Sequence, residues 1–262
     1  MSPTEPGRGH VHRAAAPARG APAAGGTPGT GGALGTDGAL GTDGALGTDG
    51  ALGTDGVPGR HGGRGLFTIV RTSVPEAAAR VRRLMVDESQ GWLAAGVGLR
   101  SARVHTTADG TTVVHRGDWE AAATPDAPRS HLGASGVVSA TVLSGTAAAG
   151  LRGPAAGRRP GVAVVAIRHL GGPDTARAVL ALLAGSGEWK RSFPGFISAT
   201  PYVSDDGRTF VNYPTWVDER AYQAWMADPR IAEGQKEINA LEVAPPEYLL
   251  CAVTADLAVA TG

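Results

Sequence analysis

The chain has 262 residues, enough for one large domain or two small ones. Its 24 Lys and Arg balance 24 Asp and Glu, so the basic surface that nucleic-acid binding requires is missing from the composition. No run of about 18 apolar residues is available to span a membrane, the first residues lack the apolar stretch of a secretory leader, and the single Cys251 excludes an internal disulfide and fits a reducing compartment, so the expected setting is the cytoplasm.

Residues 1–64 are rich in Gly, Ala, Pro and Thr and nearly free of large apolar side chains. They cannot bury enough surface to offset the entropy of ordering, and are expected to form a disordered tail. ALGTDG recurs four times in register between Ala33 and Gly56. A calcium-binding β-roll repeats every nine residues as Gly-Gly-x-Gly-x-Asp, a pattern this period of six does not supply. His10, His12 and His61 belong to the tail and receive no metal role.

A first unit is expected over 65–145. Leu66–Val70 reads as a strand. Pro75 and Glu76 open a helix, with proline in the first turn and an acid at the positive end of the dipole; Val81, Leu84 and Met85 form its apolar stripe. Gly98 to Trp119 reads as a hairpin turned at Asp109-Gly110, where an Asp-Gly pair between β-prone runs predicts a two-residue turn. Residues 120–135 have no apolar period and two prolines. Gly136–Val142 is a last strand, and residues 146–161, rich in Gly, Ala, Pro and Arg, form a linker.

The second unit, 162–256, carries the stronger pattern. It reads as strand Val162–Ile167, helix Pro173–Leu183, hairpin 195–216 turned at Asp206-Gly207, helix 218–240 with Tyr222, Trp225 and Met226 on one stripe, and strand 248–255. The order β-α-β-β-α-β is ferredoxin-like, and the fold class is α+β. Such a sheet leaves one apolar face to be covered. The units are copies at an offset of 97 residues: Trp189 falls on Trp92, Trp216 on Trp119, Gly195 on Gly98 and Gly207 on Gly110, so four of the five tryptophans form two pairs. Two tandem units facing each other would close a barrel within one chain.

No Gly-x-Gly-x-x-Gly leading into a helix, Walker loop, zinc spacing or Gly-x-Ser-x-Gly elbow is present. The last histidine is His169, so the later hairpin and helix hold no His-based triad and no His-ligated haem. What remains is Asn212, Tyr213, Trp216, Tyr222, Trp225 and Lys236. Strand alternation puts Asn212 and Trp216 on one face. Pro214 interrupts the ladder, so the strand is expected to lie at an edge or to end there. Tyr222 can fold back over that face. An amide, an indole N–H and a phenol around an apolar cavity suit an oxygenated aromatic ligand. Equally, Trp216 and Tyr222 can be plain core, whereas a buried Asn212 demands a partner. Cys251, in the apolar run Tyr248–Val253, reads as a buried core thiol.

Pro-Gly-Phe at a strand start, the Asp-Gly turn, Val-Asn-Tyr-x-x-Trp, Ala-Tyr and Ala-Asp-Pro together resemble the antibiotic biosynthesis monooxygenase (ABM) family, strongly in the second unit and weakly in the first. The resemblance implies a dimeric α+β barrel built here from tandem units, with a layout similar to the oxygenases that open the B ring of angucyclines in jadomycin, gilvocarcin and kinamycin pathways. It implies an oxygenase of polyketide antibiotic biosynthesis that oxidises or opens a polycyclic aromatic phenol or quinone with O2. The alternatives are a cofactor-free, anthrone-type quinone-forming monooxygenase and a non-catalytic or cyclase-like polyketide-binding module. Asn212, Trp216 and Tyr222 match the family's catalytic positions, and Lys236 stands by spacing where the family has an arginine. Implied substrate contacts are Tyr213, Trp225, Trp189 and Phe196, with His115 and Trp119 in the first unit, where the tyrosine position falls on Pro125. No metal or haem is implied. The ring-opening subgroup adds reduced flavin from a separate reductase, and the family adds a second copy of the chain as a further partner.

Overall fold

The structure, a computed structural model, describes residues 63–258 apart from 122, 124–126, 128 and 186. The expected tail up to residue 62, with its repeats and histidines, and Pro125 lie outside the described residues. The first half runs β1 (Arg64–Thr72), α1 (Pro75–Ala95), β2 (Leu99–Thr107), β3 (Thr112–Trp119), a 3-10 turn (Ser130–Gly133) and β4 (Val137–Ala147). After a short β5 (Leu151–Arg152), the second half runs β6 (Val162–Leu170), α2 (Pro173–Gly185), α3 (Gly187–Arg191), β7 (Phe196–Val203), β8 (Thr209–Trp216), α4 (Glu219–Met226), α5 (Pro229–Asn239) and β9 (Glu242–Ala258). Each half has the ferredoxin-like order, except that the described residues between β3 and β4 form a 3-10 turn and no α-helix.

The strands hydrogen-bond antiparallel in the order β4-β1-β3-β2-β9-β6-β8-β7, and β4 also pairs with β7 through Thr146↔Val203 and Ala147↔Tyr202, which closes a barrel. The two seams between halves are unequal. The β2–β9 seam runs through seven residue pairs from Ser101↔Ala258 to Thr107↔Cys251, whereas β4–β7 holds two. Part of the remaining β7 edge is taken by β5, Leu151 pairing with Ala199 and Arg152 with Ser198. The barrel interior is packed by Phe67, Ile69 and Val114 from the first half against Val165, Ile167, Val211, Tyr213 and Cys251 from the second. Burying each of the larger aliphatic and aromatic chains contributes roughly 1.5–3 kcal/mol, so each half supplies the apolar cover for the other's sheet. The Cys251 thiol is buried there, and burial pushes its pKa up to about 12.

The structure departs from three expectations. The hairpin loops hold four residues (108–111) and five (204–208) rather than two. In both, the aspartate folds back: Asp109 Oδ1 accepts from Thr111 N and Asp206 Oδ1 from Arg208 N, each at 3.0 Å, and each also accepts a hydroxyl at 2.6 Å, from Thr107 and Ser204. That local turn is an alternative to the tight hairpin. Second, the single helix expected over 218–240 is two. Pro229 lacks an N–H and drives Asp228 out of the helical region, and the Asp228 carboxylate then caps a new helix by accepting from Arg230 N. Third, β8 is an interior strand that continues to Trp216. The missing N–H of Pro214 falls in a gap of the β6–β8 ladder between Ala163↔Thr215 and Ala166↔Asn212, so the sheet tolerates it. Within α1, Val81 and Met85 are buried as expected, while Leu84 is exposed.

Candidate functional site

Alternation along β8 sorts its side chains between two environments. Val211 and Tyr213 enter the barrel interior, and Asn212, Pro214 and Trp216 face the helices of the second half. On that outer face a cavity of about 680 Å³ lies between the sheet and α2–α5. Asn212, Tyr222, Trp189, Trp225 and Lys190 are among the groups that line it, with Arg168 and Tyr248 further along the wall.

The aromatic part is a stack. The Trp189 and Trp225 rings lie 4.2 Å apart at 16°. Lys190 Nζ sits 4.7 Å from the Trp225 ring centre, and the Arg230 guanidinium 4.0 Å from that of Trp189, so a cation rests against each indole. Arg230 is also held by the Asp228 carboxylate. Lys190 is 7 % exposed with no carboxylate partner among the described residues, and burial lowers its pKa to about 8. Arg168 is buried against Glu242, donates to Gln235 Oε1 at 3.2 Å, and stands over the Tyr248 ring; Gln235 Nε2 donates to the Tyr248 hydroxyl at 2.7 Å.

The polar groups that face the cavity without internal partners are the informative ones. The half-buried Asn212 amide and the Tyr222 hydroxyl make no side-chain hydrogen bond to another described residue. Burial, and then Tyr248, raise the Tyr222 pKa, so its hydroxyl keeps its proton and is a donor. An amide, a phenol and a buried cation thus converge on a slot floored by stacked indoles. Such a slot orients a flat oxygenated ring, and its cation favours the ionised form of a phenol.

The remaining sequence-derived residues are placed elsewhere. Trp216 is fully buried behind the cavity, enclosed by Phe193, Phe196, Tyr222 and Trp225, and its indole N–H has no partner among the described residues. Phe196 backs Trp216 in the same cluster. Tyr213 is on the opposite face of the sheet, its hydroxyl 2.7 Å from His105 Nε2 inside the barrel. Lys236 is exposed and does not line the cavity: α5 turns Ile231, Gly234, Gln235 and Ile238 toward it, and the next position after Gln235 rotates off that face. In the first half, His115 and Trp119 are buried against Trp92. His115 Nε2 bonds Ser89 Oγ at 2.8 Å, and Ser89 Oγ donates to the Met85 carbonyl. Burial lowers the His115 pKa to about 3, so this histidine is neutral and part of the packing.

Lys190 was missed from sequence. The available signal was the difference between copies: 97 residues earlier the same place holds Leu93, which packs near Trp119, so a cation replaces an apolar residue at a position that lines the cavity in the second half.

The fold and this pocket define a ferredoxin-like α+β protein, a closed antiparallel barrel with an aromatic cavity beneath one helix layer. Residues 163–237 match the family described as antibiotic biosynthesis monooxygenase, so that segment, which holds most of the cavity, is an ABM domain. The chain is 39% identical over 64 residues to the tetracenomycin-F1 monooxygenase of Streptomyces glaucescens, covering 24% of this chain and 55% of that protein; it therefore spans about half the length of that curated relative. Among solved structures, an anthrone oxidase-like protein has the same fold at a TM-score of 0.60 and 15% identity, over 76% of this chain and 94% of its own. That span exceeds either half alone, so the likeness runs through both. The monooxygenase from the gene ActVA-Orf6 of Streptomyces coelicolor, solved in complex with nanaomycin D, is 35% identical over 37% of this chain and 89% of its own, with a TM-score of 0.35. Among the described residues no group of three or more His, Cys, Asp or Glu is placed to hold a metal ion, and no helix is long and apolar enough to cross a membrane.

Proposed function

We propose that the chain is an oxygenase of aromatic polyketides that inserts one oxygen atom from O2 into a polycyclic phenol bound in the cavity beneath α2–α5. The observation that carries the reading is the convergence of the unpartnered Asn212 amide and Tyr222 hydroxyl with buried Lys190 over the Trp189–Trp225 stack. The ABM match over 163–237 and the tetracenomycin-F1 monooxygenase likeness support it. The two halves read as a duplication over 65–145 and 162–256: Glu120 N donates to Gly98 O at 2.9 Å and, 97 residues on, Val217 N to Gly195 O at 3.0 Å.

The chemistry follows from the groups. The ring system lies along the edges of the indole stack, whose outer faces Lys190 and Arg230 cover, and Asn212 and Tyr222 donate to its oxygens. Lys190, mostly protonated at pH 7, favours the phenolate, which is electron-rich enough to pass an electron to O2. The phenolate is that of the enol tautomer, formed as a ring CH2 gives one proton up to solvent, and the two radicals combine at that carbon, which keeps one hydrogen. The resulting peroxide takes up a proton, and the hydroperoxide loses water with the last hydrogen of that carbon, leaving a carbonyl: CH2 plus O2 gives C=O plus H2O. Trp216 fixes the positions of Tyr222 and Trp225 from behind.

Ring opening of an angucycline rests on the two-unit layout and on overall likeness to the ring-opening oxygenases. An anthrone oxidase-like fold has the same extent, so the layout does not select that reaction. The guanidinium groups of the cavity wall are engaged, Arg168 by Glu242 and Arg230 by Asp228. A flavin phosphate finds no open guanidinium there, and no flavin enters the proposed chemistry.

The test is oxygen uptake by the purified chain with an anthrone or a tetracyclic naphthacenone, with and without reduced flavin. The reading expects uptake without flavin, one O2 per quinone formed. Binding of the ring system with no uptake under either condition would replace the oxygenase by a binding or cyclase-like module.

A further inference from the structure

A second cavity, of about 480 Å³, lies on the other side of β8, at the end of the barrel crossed by residues 152–160. Arginines dominate its lining: Arg103 from β2, Arg116 from β3, and Arg152, Arg158 and Arg159 from the crossing segment, against the one carboxylate of Asp256. We propose that this barrel end binds a phosphate monoester, independently of the oxygenase reading.

The charge count is the first argument. Arg103 donates to Asp256 at 2.9 Å, and Arg116 is held by Asp118 and by the Tyr202 hydroxyl. Beside these two ion-paired arginines, Arg158 and Arg159 bring two further guanidinium groups to the lining. Arg116 is 3 % exposed, so part of this charge sits in a low-dielectric wall, where an anion is attracted more strongly than at an open surface. Arg158 and Arg159 make no side-chain hydrogen bond or ion pair with another described residue. A dianion suits these two cations, and a phosphate accepts the planar guanidinium fork through two oxygens.

The crossing segment is built in rather than loose. Gly153 N donates to Ile197 O at 2.9 Å, Ala155 N to Phe196 O at 3.1 Å and Gly161 N to Trp216 O at 3.0 Å. Those bonds strap what the sequence reads as a linker across β7 and β8, with the arginines at the mouth. Thr200, 5 % exposed, lines the cavity with a hydroxyl that has no partner among the described residues. The Tyr213 ring and Ile197 supply apolar wall beyond what a bare oxyanion fills, which selects an ester over free phosphate.

The full chain is titrated by calorimetry with phenyl phosphate, inorganic phosphate and benzoate. Phenyl phosphate is expected to bind most tightly, with affinity falling as salt rises. In Arg158→Ser/Arg159→Ser, on an exposed segment outside the barrel core, its affinity is expected to fall by about tenfold or more, the equivalent of roughly 1.4 kcal/mol. Thr200→Val supplies a second variant and is expected to weaken phenyl phosphate without changing the salt dependence. Absence of saturable binding by either phosphate at millimolar concentration, or unchanged affinity in the arginine double variant, overturns the site. Inorganic phosphate binding as tightly as phenyl phosphate overturns the monoester.

Discussion

Lys190 Nζ lies 4.7 Å from the centre of the Trp225 ring, buried in the wall of the helix-side cavity with no carboxylate beside it among the described residues. Burial holds its pKa at about 8, below the 10.5 of a free lysine. Between those values the unfolded chain binds the extra proton, so stability rises with pH across that window, and the cost of the buried charge is fully present below pH 8. Lys190→Met is expected to be more stable than the parent at pH 7, by on the order of 3 kcal/mol at most, and to lose this rise. Urea melts from pH 7 to 10.5 measure both. The same variant is expected to lose the limb near pH 8 in its rate profile.

Asn212 and Trp216 separate a cavity group from a supporting one. Asn212→Ala leaves the fold intact and is expected to lower kcat by about a hundredfold or more, the typical effect of removing one oriented donor. Trp216→Ala empties a fully buried site among Phe193, Phe196, Tyr222 and Trp225. It is expected to cost about 3–5 kcal/mol of stability. Thermal melts with oxygen-uptake rates distinguish the two. An Asn212→Ala protein with unchanged turnover removes Asn212 from the mechanism.

The buried histidines make the barrel acid-sensitive. His105 sits between the Val114 carbonyl and the Tyr213 hydroxyl, and His115 against Ser89; burial lowers both pKa values to about 3. Below pH 6.5 the unfolded chain takes protons these side chains refuse, so stability is lost progressively as pH falls from about 6.5 toward 3. His105→Phe is expected to flatten that acid limb relative to the parent, read from urea midpoints between pH 7 and 4.

Glycine matters at the second hairpin and not in the first helix. Gly207 has φ +67°, and a Cβ there would lie 2.5 Å from Pro173 N, where the turn tucks beneath the start of α2. Gly207→Ala is expected to destabilise by about 2 kcal/mol or more, through a left-handed backbone and a clash with main chain. Gly91 in α1 has open space around its Cα. Gly91→Ala is expected to stabilise by up to about 1 kcal/mol. Thermal melts of the pair check the contrast.

The repeat at an offset of 97, the ferredoxin-like order and the shared face of Asn212 and Trp216 were legible because each depends on local pattern: turn chemistry, alternation and scarce tryptophans at one spacing. The break at Asp228-Pro229 was also visible in the residues and was passed over in favour of the longer apolar stripe. Pro214 marks neither an edge nor a strand end, because its missing N–H falls in a gap of the β6–β8 ladder. Tyr213 and Trp216 both looked like cavity residues, yet one is inside the barrel and the other is packed behind the pocket.

Local pattern along the chain, which depends on neighbours a few residues away, was sufficient for the ferredoxin-like order of strands and helical regions. It could not say which side of each sheet stays hollow, since cavities are set by how whole elements stand apart. Only the packing of α2–α5 put a buried lysine against the Trp225 indole, with Lys236 outside the cavity. Only the closing of the barrel brought arginines from two strands and a crossing segment, distant in sequence, around one space.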